Sequence, residues 1–294
     1  MKNELYCQTC NQETIIKNGK SKDGEQRYLC TSCGSHKQPF EPLNSSPKIL
    51  VFDIESTPSI GYFWSTNPWN VTMTHDKIIQ DWYMLSWSAK WLNDSEIIND
   101  CIKSKESVVQ DDRRIVKSLW KLFDEADILI AHNGHKFDIP MMNTKFLQHN
   151  ILPPKPYQVI DTLKVAKRSF KFTHNKLDYL GEFLGIGRKN TTEFQLWLEC
   201  MAGNKKSLKR MLDYNDQDVL LLEEVYYKLL PYTKSHPNLN NYQDTKKCCS
   251  NCGSSNIRPK GFYHTMVNRY QTFQCSDCGS FTRVGGKMMQ PLAR

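Results

Sequence analysis

Four Cys-x-x-Cys pairs constrain this chain more strongly than any other feature of its sequence. They lie in two groups, one near each end of the 294 residues: Cys7/Cys10 with Cys30/Cys33, and Cys249/Cys252 with Cys275/Cys278. Four thiolates that arrive as two tight pairs can close a tetrahedral Zn²⁺ site, and metal binding then supplies the folding free energy that a small apolar core cannot. The sequence therefore predicts two structural Zn²⁺ ions, one in each group.

The two groups look like copies of one small module. Each ends in an aromatic-bearing segment followed by Cys-x-x-Cys-Gly-Ser, and Gly34 and Gly279 give the second turn of each group its backbone freedom. Both groups resemble zinc ribbons, which we expect at residues 1–40 and 246–294. Cys248 is an alternative ligand to Cys249, although the two-residue spacing favours Cys249. Polar, turn-rich segments at 41–47 and 235–245 are predicted to be linkers.

The charge of the chain is concentrated at its C-terminal end. Residues 48–234 hold 25 basic and 24 acidic side chains, whereas residues 235–294 hold 8 and 2. The basic side chains of the second ribbon are interleaved with aromatic ones, a combination that suits unpaired bases and their phosphates. We therefore expect a nucleic-acid partner, with the second ribbon as its binding module. The basic residues are Lys246, Lys247, Arg258, Lys260, Arg269, Arg283 and Lys287, and the aromatic ones Phe262, Tyr263, Tyr270 and Phe281.

The sequence disfavours two classes of protein, secreted proteins and membrane proteins. The N-terminal residues form no apolar signal-peptide core, and no segment reaches the ~18 apolar residues of a membrane span. Paired cysteines in a reducing compartment indicate metal ligands rather than disulfides. We expect a cytoplasmic protein of a prokaryotic or phage-infected cell, without a membrane partner.

Residues 48–234 alternate between strand-like and helix-like patterns, which predicts an α/β domain. Apolar runs at 48–52 and 127–131 are typical of buried strands, and the alternation over 83–91 predicts a half-buried strand of period two. Helices are predicted over 109–126, 139–150, 176–184 and 207–230.

Carboxylates follow this pattern at three points. Asp53 and Glu55 come at the end of the first strand, two residues apart, so both project to the same side. Asn133 and Asp138 follow a later strand, within Asn133-Gly-His-Lys-Phe137-Asp138. On the last helix Tyr214 and Asp218 lie one turn apart on one face, whereas Asp216 points elsewhere and is expected to be solvated.

Together these three motifs resemble those of the DEDD exonucleases, in particular the tyrosine branch, called DEDDy. The likeness covers residues 48 to about 232 and is strongest to the proofreading exonuclease domain of family B DNA polymerases. The histidine variant would need a His where this chain has Asp213. The resemblance implies a ribonuclease-H-like mixed sheet with flanking helices, flanked here by two zinc ribbons.

The resemblance also implies a chemistry, the removal of nucleotides from 3′ ends with two Mg²⁺ or Mn²⁺ ions. Asp53 would bridge both ions, Glu55 and Asp218 would complete the site that activates water, and Asp138 would support the second ion. Tyr214 would orient the attacking water, and Asn133 and Phe137 would shape the pocket for the terminal nucleotide. Oxygen ligands of this kind select Mg²⁺ or Mn²⁺ over the Zn²⁺ of the thiolate sites.

Several alternatives stay open at the level of sequence. Single-stranded or frayed DNA is the expected substrate, but no residue pattern distinguishes it from RNA. A nucleic-acid-binding adaptor with a relic nuclease fold is disfavoured by the complete acidic set, and an endonuclease by the tyrosine motif. A separate DNA polymerase or replication protein is a hypothetical partner.

Overall fold

The computed structural model describes residues 7, 9–10, 12, 14–20, 26–36, 46–64, 67, 74–187, 192–242, 248–266 and 268–283. Most of the predicted 41–47 linker and the basic residues Lys246, Lys247 and Lys287 therefore lie outside the described residues. The chain divides into two compact units: residues 47–237 with 276–281, and residues 1–46, 238–275 and 282–294.

The strands and helices are numbered along the whole chain. The strands are β1 Ile15–Lys20, β2 Gln26–Cys30, β3 Ile49–Ser56, β4 Ile60–Gly61, β5 Ile78–Gln80, β6 Met84–Trp91, β7 Ile97–Cys101, β8 Ile128–Ala131, β9 Gln158–Asp161, β10 Ile257–His264, β11 Arg269–Cys275 and β12 Phe281–Thr282. The helices are α1 Ser104–Val108, α2 Arg113–Glu125, α3 Asp138–Gln148, α4 Thr162–Ser169, α5 Leu177–Phe183, α6 Phe194–Met201 and α7 Lys205–Leu229.

The larger unit is built on a mixed five-stranded sheet, in the order β7-β6-β3-β8-β9. β3 pairs antiparallel with β6 and parallel with β8, so it lies at the centre of the sheet. β6 and β7 are antiparallel, and β8 and β9 are parallel. A mixed sheet with flanking helices is the predicted ribonuclease-H-like arrangement, and the fold class is confirmed.

The core lies on both faces of this sheet. On one face α2 buries Ile115, Leu119 and Phe123, and the ring of Phe123 meets Phe52 of β3 edge-on with centroids 4.8 Å apart. On the other face α7 packs against β3, β6 and β7. The predicted helices are present, with boundaries shifted by a few residues.

One prediction about this sheet is wrong. The alternation in β6 predicts a strand with one solvated face, but Ser86, Ser88 and Lys90 are buried. Their partners lie on α7, where Asn215 accepts from Ser86, Asp216 accepts from Ser88, and Glu223 forms an ion pair with Lys90. Asp216 also accepts from Asn99, so it is not the solvated residue that the sequence suggests. Because α7 brings its own polar side chains, the polar face of β6 is buried without losing its hydrogen bonds.

The second unit contains small sheets, and two of their strands, β2 and β11, end at a cysteine. β1 and β2 form an antiparallel hairpin, in which Ile15 lies opposite Cys30. β10 and β11 pair antiparallel in the same way, with Ile257 opposite Cys275, and β12 is the third strand of that sheet. The two hairpins therefore place their cysteines at equivalent register positions, as expected for two copies of one module.

Candidate active site

Three carboxylates converge where the centre of the sheet meets α7. Asp53 and Glu55 lie on β3, and Asp218 lies on α7, with one oxygen of each within 4.8 Å of the others. Asp218 is only 1% exposed, whereas Asp53 and Glu55 are half-buried. Three carboxylates at this separation repel one another unless a cation compensates their charge. Their hard oxygen ligands fit a divalent ion such as Mg²⁺ or Mn²⁺.

Asn215 holds the first of these carboxylates in place. Its Nδ2 donates to Asp53 Oδ2 at 2.7 Å, and its own Oδ1 accepts from Ser86 Oγ at 3.2 Å. Asn215 is fully buried. The three sequence motifs do not include Asn215, although Asn215 and Asp218 are three apart and so share a face of α7. That spacing is the signal that could have found it.

Asp138 occupies a different position. It is the first residue of α3, is 2% exposed, and does not belong to the group formed by Asp53, Glu55 and Asp218. It follows a tight loop in which Asn133 has a φ of +71°. A Cβ at Gly134 would lie 2.5 Å from the Ala131 Cβ, so only glycine fits there without a shift of the backbone.

A second overlooked residue, Asp161, fixes the shape of this loop. Asp161 ends β9, and its Oδ1 accepts from the backbone N–H groups of Asn133 at 3.0 Å and Leu163 at 3.1 Å. It therefore caps α4 and ties that helix to the loop after β8. An acid between a short apolar run and a helix is the sequence signal that identifies such a cap.

A cavity of about 670 Å³ opens beside the carboxylates. Asp53, Tyr214 and Asn133 line it, together with residues before and within α5. Phe137 is not among the lining residues, and it is 45% exposed at the start of α3. His132 also lines the cavity, but its ring nitrogens already lie 2.9 Å from Thr162 Oγ1 and 2.8 Å from the Asn175 carbonyl oxygen. The His132 ring is therefore a fixed part of the cavity wall.

The thiolates form two groups of four. Within the first, Cys7 Sγ lies 3.6 Å from Cys33 Sγ, and Cys10 Sγ lies 3.5 Å from Cys30 Sγ. In the second, Cys252 Sγ lies 3.7 Å from Cys275 Sγ, and the remaining members are Cys249 and Cys278 rather than Cys248. A tetrahedral ion with Zn–S bonds of ~2.3 Å separates its sulfur ligands by about 3.8 Å. These distances match a metal site and far exceed the ~2.05 Å of a disulfide.

Arginines stack on aromatic rings within and next to the sheet formed by β10, β11 and β12. The Arg269 guanidinium lies 3.8 Å from the centroid of Phe262, and that of Arg283 lies 4.6 Å from Tyr263 and 5.5 Å from Tyr270. Phe262 and Tyr263 are exposed. Exposed aromatic faces with stacked cations can bind unpaired bases and phosphates.

The comparison with protein-family profiles agrees with this architecture. The sequence profile of the RNase_H superfamily matches residues 91–230. No curated protein sequence matches the chain. A solved structure of the family B DNA polymerase from the hyperthermophilic archaeon Pyrobaculum calidifontis aligns with a TM-score of 0.44 and 13% identity, over 86% of this chain and 35% of the polymerase. The chain thus spans about a third of that polymerase.

Among the described residues, no helix has both the length and the apolar character needed to cross a bilayer. The profile match begins at the end of β6, so β3 with Asp53 and Glu55 precedes it in the chain. β3 and the strands inside the profile match, β7, β8 and β9, belong to one sheet. Residues 91–230 thus match the RNase_H superfamily profile, β3 completes the mixed sheet of a ribonuclease-H-like fold, and two four-cysteine groups fit zinc ribbons.

Proposed function

We propose that this protein is a metal-dependent 3′-to-5′ exonuclease that hydrolyses phosphodiester bonds at DNA 3′ ends. The RNase H-like fold supports a nuclease-type function in general. The observation that carries the more specific proposal is the convergence of Asp53, Glu55 and Asp218 within 4.8 Å. Tyr214 lines the adjoining cavity and lies one helical turn before Asp218, as the tyrosine branch of the DEDD exonucleases requires.

The three carboxylates would hold the divalent ions, with Asp138 assisting at the second. When bound, two such ions supply charge stabilisation for the attacking and leaving oxygens of an in-line displacement. Asn215 keeps Asp53 aimed into the site through its hydrogen bond. Asp218 is buried, and this excludes bulk water from one side of the group.

The remaining residues act on the substrate and on water. Tyr214 would form a hydrogen bond to the attacking water and orient it, because a neutral phenol is a poor general base. Asn133 lines the cavity and would shape the pocket for the terminal nucleotide, whereas the exposed ring of Phe137 is not among the lining residues. The cavity beside them suits a single unpaired 3′ end, which favours single-stranded or frayed DNA.

The two four-cysteine groups would bind one Zn²⁺ each. The second ribbon would help to hold the nucleic acid through its stacked arginines, such as Arg269 on Phe262. A separate DNA polymerase or replication protein is the proposed protein partner, and an unchanged polymerase error rate in the presence of this chain would count against that partnership.

The direction of attack and the type of nucleic acid can be determined from one time course. Single- and double-stranded DNA and RNA, each labelled at the 5′ end, are incubated with the protein in Mg²⁺, Mn²⁺ or no divalent ion. The proposal predicts a ladder that shortens one nucleotide at a time, with single-stranded DNA consumed fastest and only when a divalent ion is present. Immediate release of the labelled 5′ nucleotide, or cutting of a circular single strand, would contradict it.

A further inference from the structure

A second cavity of about 460 Å³ lies beside the first. The two share Asn133, Leu163 and Lys167 in their walls, so they adjoin. The second cavity holds neither the carboxylate group nor Tyr214. Its charged lining consists of four cations, Lys136, Lys164, Lys167 and Arg168, and no acidic residue belongs to the described lining.

None of these four cations forms an ion pair with an acid that the structure describes. All four are exposed, and no ion pair involves any of them within the part of the chain that the structure describes. Some cations elsewhere in the same unit are paired, as with Arg114 on Asp100 and Lys145 on Asp112. Because residues 48–234 are nearly neutral as a whole, the positive charge here is a local concentration.

The helix that carries three of these cations gains little stability from them. Lys164 and Arg168 are four residues apart on α4, and like charges at that spacing destabilise a helix by ~0.2–0.5 kcal/mol. Lys167 and Arg168 lie in the last turn and so favour the helix dipole, but Lys164 lies near its N-terminal end. Their common orientation toward one cavity therefore indicates an anionic ligand.

We propose that this second cavity binds backbone phosphates of the substrate strand on the 5′ side of the terminal nucleotide. The proposal rests on the proposed exonuclease function, which places the 3′ end beside Asp53. A ligand that fills both cavities must be elongated and carry repeated negative charge, and a phosphodiester strand meets both demands. Lys167 lines both cavities and contacts the strand where it passes from one to the other.

Binding of this kind depends on charge rather than sequence, and it weakens in salt. For single strands, log Kd changes with log salt by about 0.7 for each phosphate that a cation neutralises. Removing two of the contacting cations should therefore lower the slope by about 1.4 without changing the preference for any base.

The test compares the full-length, zinc-loaded protein with a Lys164→Gln/Arg168→Gln variant by fluorescence anisotropy. The probe is a 5′-labelled hexathymidylate with phosphorothioate at every linkage, which keeps the charge and resists hydrolysis. Titrations run from about 50 to 300 mM NaCl in Mg²⁺, a range over which phosphate contacts weaken measurably. We expect the variant to bind at least about fivefold more weakly at low salt, with a slope lower by about 1.4. The ribbons are identical in both proteins, so the difference isolates the cavity.

Two further variants keep the result interpretable. Lys117→Gln/Lys121→Gln removes the same charge from the exposed face of α2 and should bind like the wild type. Lys164→Arg/Arg168→Lys keeps the charge and should retain the slope. An unchanged slope in the glutamine variant at α4, or an equal loss in the α2 control, would overturn the proposal. The readout needs no hydrolysis, so a failure of the proposed nuclease activity would appear separately, in the time course.

Discussion

At the scale of single residues, the sequence predicts the chemical groups of the site better than the contacts that orient them. Asp53, Glu55 and Asp218 are evident from their spacing relative to strand and helix, and the structure brings them together. Asn215 and Asp161 are less evident, because one partner of each, Asp53 and Asn133 respectively, is distant in the sequence. Asn215 reaches Asp53 across 162 positions, a contact that no local pattern encodes.

The first prediction concerns Asn215. Asn215→Ala removes the hydrogen bond that holds Asp53, and bonds to a charged group contribute ~1.5–3 kcal/mol. We expect nucleotide release to fall at least about tenfold and the Mg²⁺ concentration for half-maximal activity to rise. Gln217→Ala, on the exposed side of the same turn, is the matched control. An Asn215 variant with unaltered Mg²⁺ dependence would show that Asn215 does not position Asp53.

The second prediction concerns His236, whose ring is held between Tyr226 Oη at 2.9 Å and the Pro237 carbonyl oxygen at 2.7 Å. Burial lowers the pKa of His236 below its ordinary 6.5, although the bond to Pro237 opposes the shift. Below about pH 6.5 the unfolded chain therefore binds a proton that the folded chain resists, and the free energy of unfolding falls as the pH falls.

Replacing this ring should remove part of that pH dependence. Between about pH 7.5 and 5.5, urea denaturation of His236→Gln should show a smaller loss of stability than the wild type. Tryptophan fluorescence is a suitable probe because all seven tryptophans lie within residues 47–237. Parallel pH profiles for the two proteins would rule out this role.

At the scale of elements, long periodic segments are predicted well and short or polar ones are not. The α7 and α2 patterns give helices close to those observed, and the apolar runs give β3 and β8. β9 and β7 were missed because they are short, and β7 carries Asn99 and Asp100 among its apolar residues. The burial of both faces of β6 could not be predicted from its own residues, because the polar partners come from α7.

The interface between β6 and α7 gives the third prediction. Lys90 and Glu223 form an ion pair in which both side chains are less than a tenth exposed. Glu223→Gln leaves the Lys90 charge buried without its counter-charge, which should lower the free energy of unfolding by about 3 kcal/mol. Replacing both residues by apolar ones, as Lys90→Met/Glu223→Leu, should recover most of that loss. If the double variant is no more stable than Glu223→Gln, the ion pair does not behave as a coupled buried pair.

At the scale of the whole molecule, the cysteine pattern explains why one chain contains two different kinds of unit, a larger and a smaller one. The larger unit has a core on both faces of its sheet, whereas the hairpins of the smaller one carry Cys30 and Cys275 at matching register positions. The sequence predicts both kinds of unit because Cys-x-x-Cys pairs and apolar periodicity are local signals. The basic second cavity escaped prediction, since its cations come from the loop after β8 and from α4.

The fourth prediction concerns the thiolate sites. The protein should contain two Zn²⁺ per chain by metal analysis, and Cys30→Ser should contain one. Stripping zinc with a chelator should unfold the ribbons but leave the tryptophan emission maximum unchanged, because the tryptophans report on residues 47–237. A chain with no bound zinc after purification in zinc-supplemented medium would contradict the assignment of both four-cysteine groups.

The central claim is that the carboxylates of β3 and α7 carry out metal-dependent removal of 3′ nucleotides. Its most direct test is the rate of nucleotide release from 5′-labelled single-stranded DNA by Asp53→Asn in Mg²⁺. Asp213→Asn makes the same charge change at an exposed residue of α7 that pairs only with Lys209 at 3.3 Å among the described contacts. We expect Asp53→Asn to lose all measurable release while keeping the wild-type unfolding midpoint, and Asp213→Asn to keep its activity. Nucleotide release by Asp53→Asn at the wild-type rate would contradict this claim.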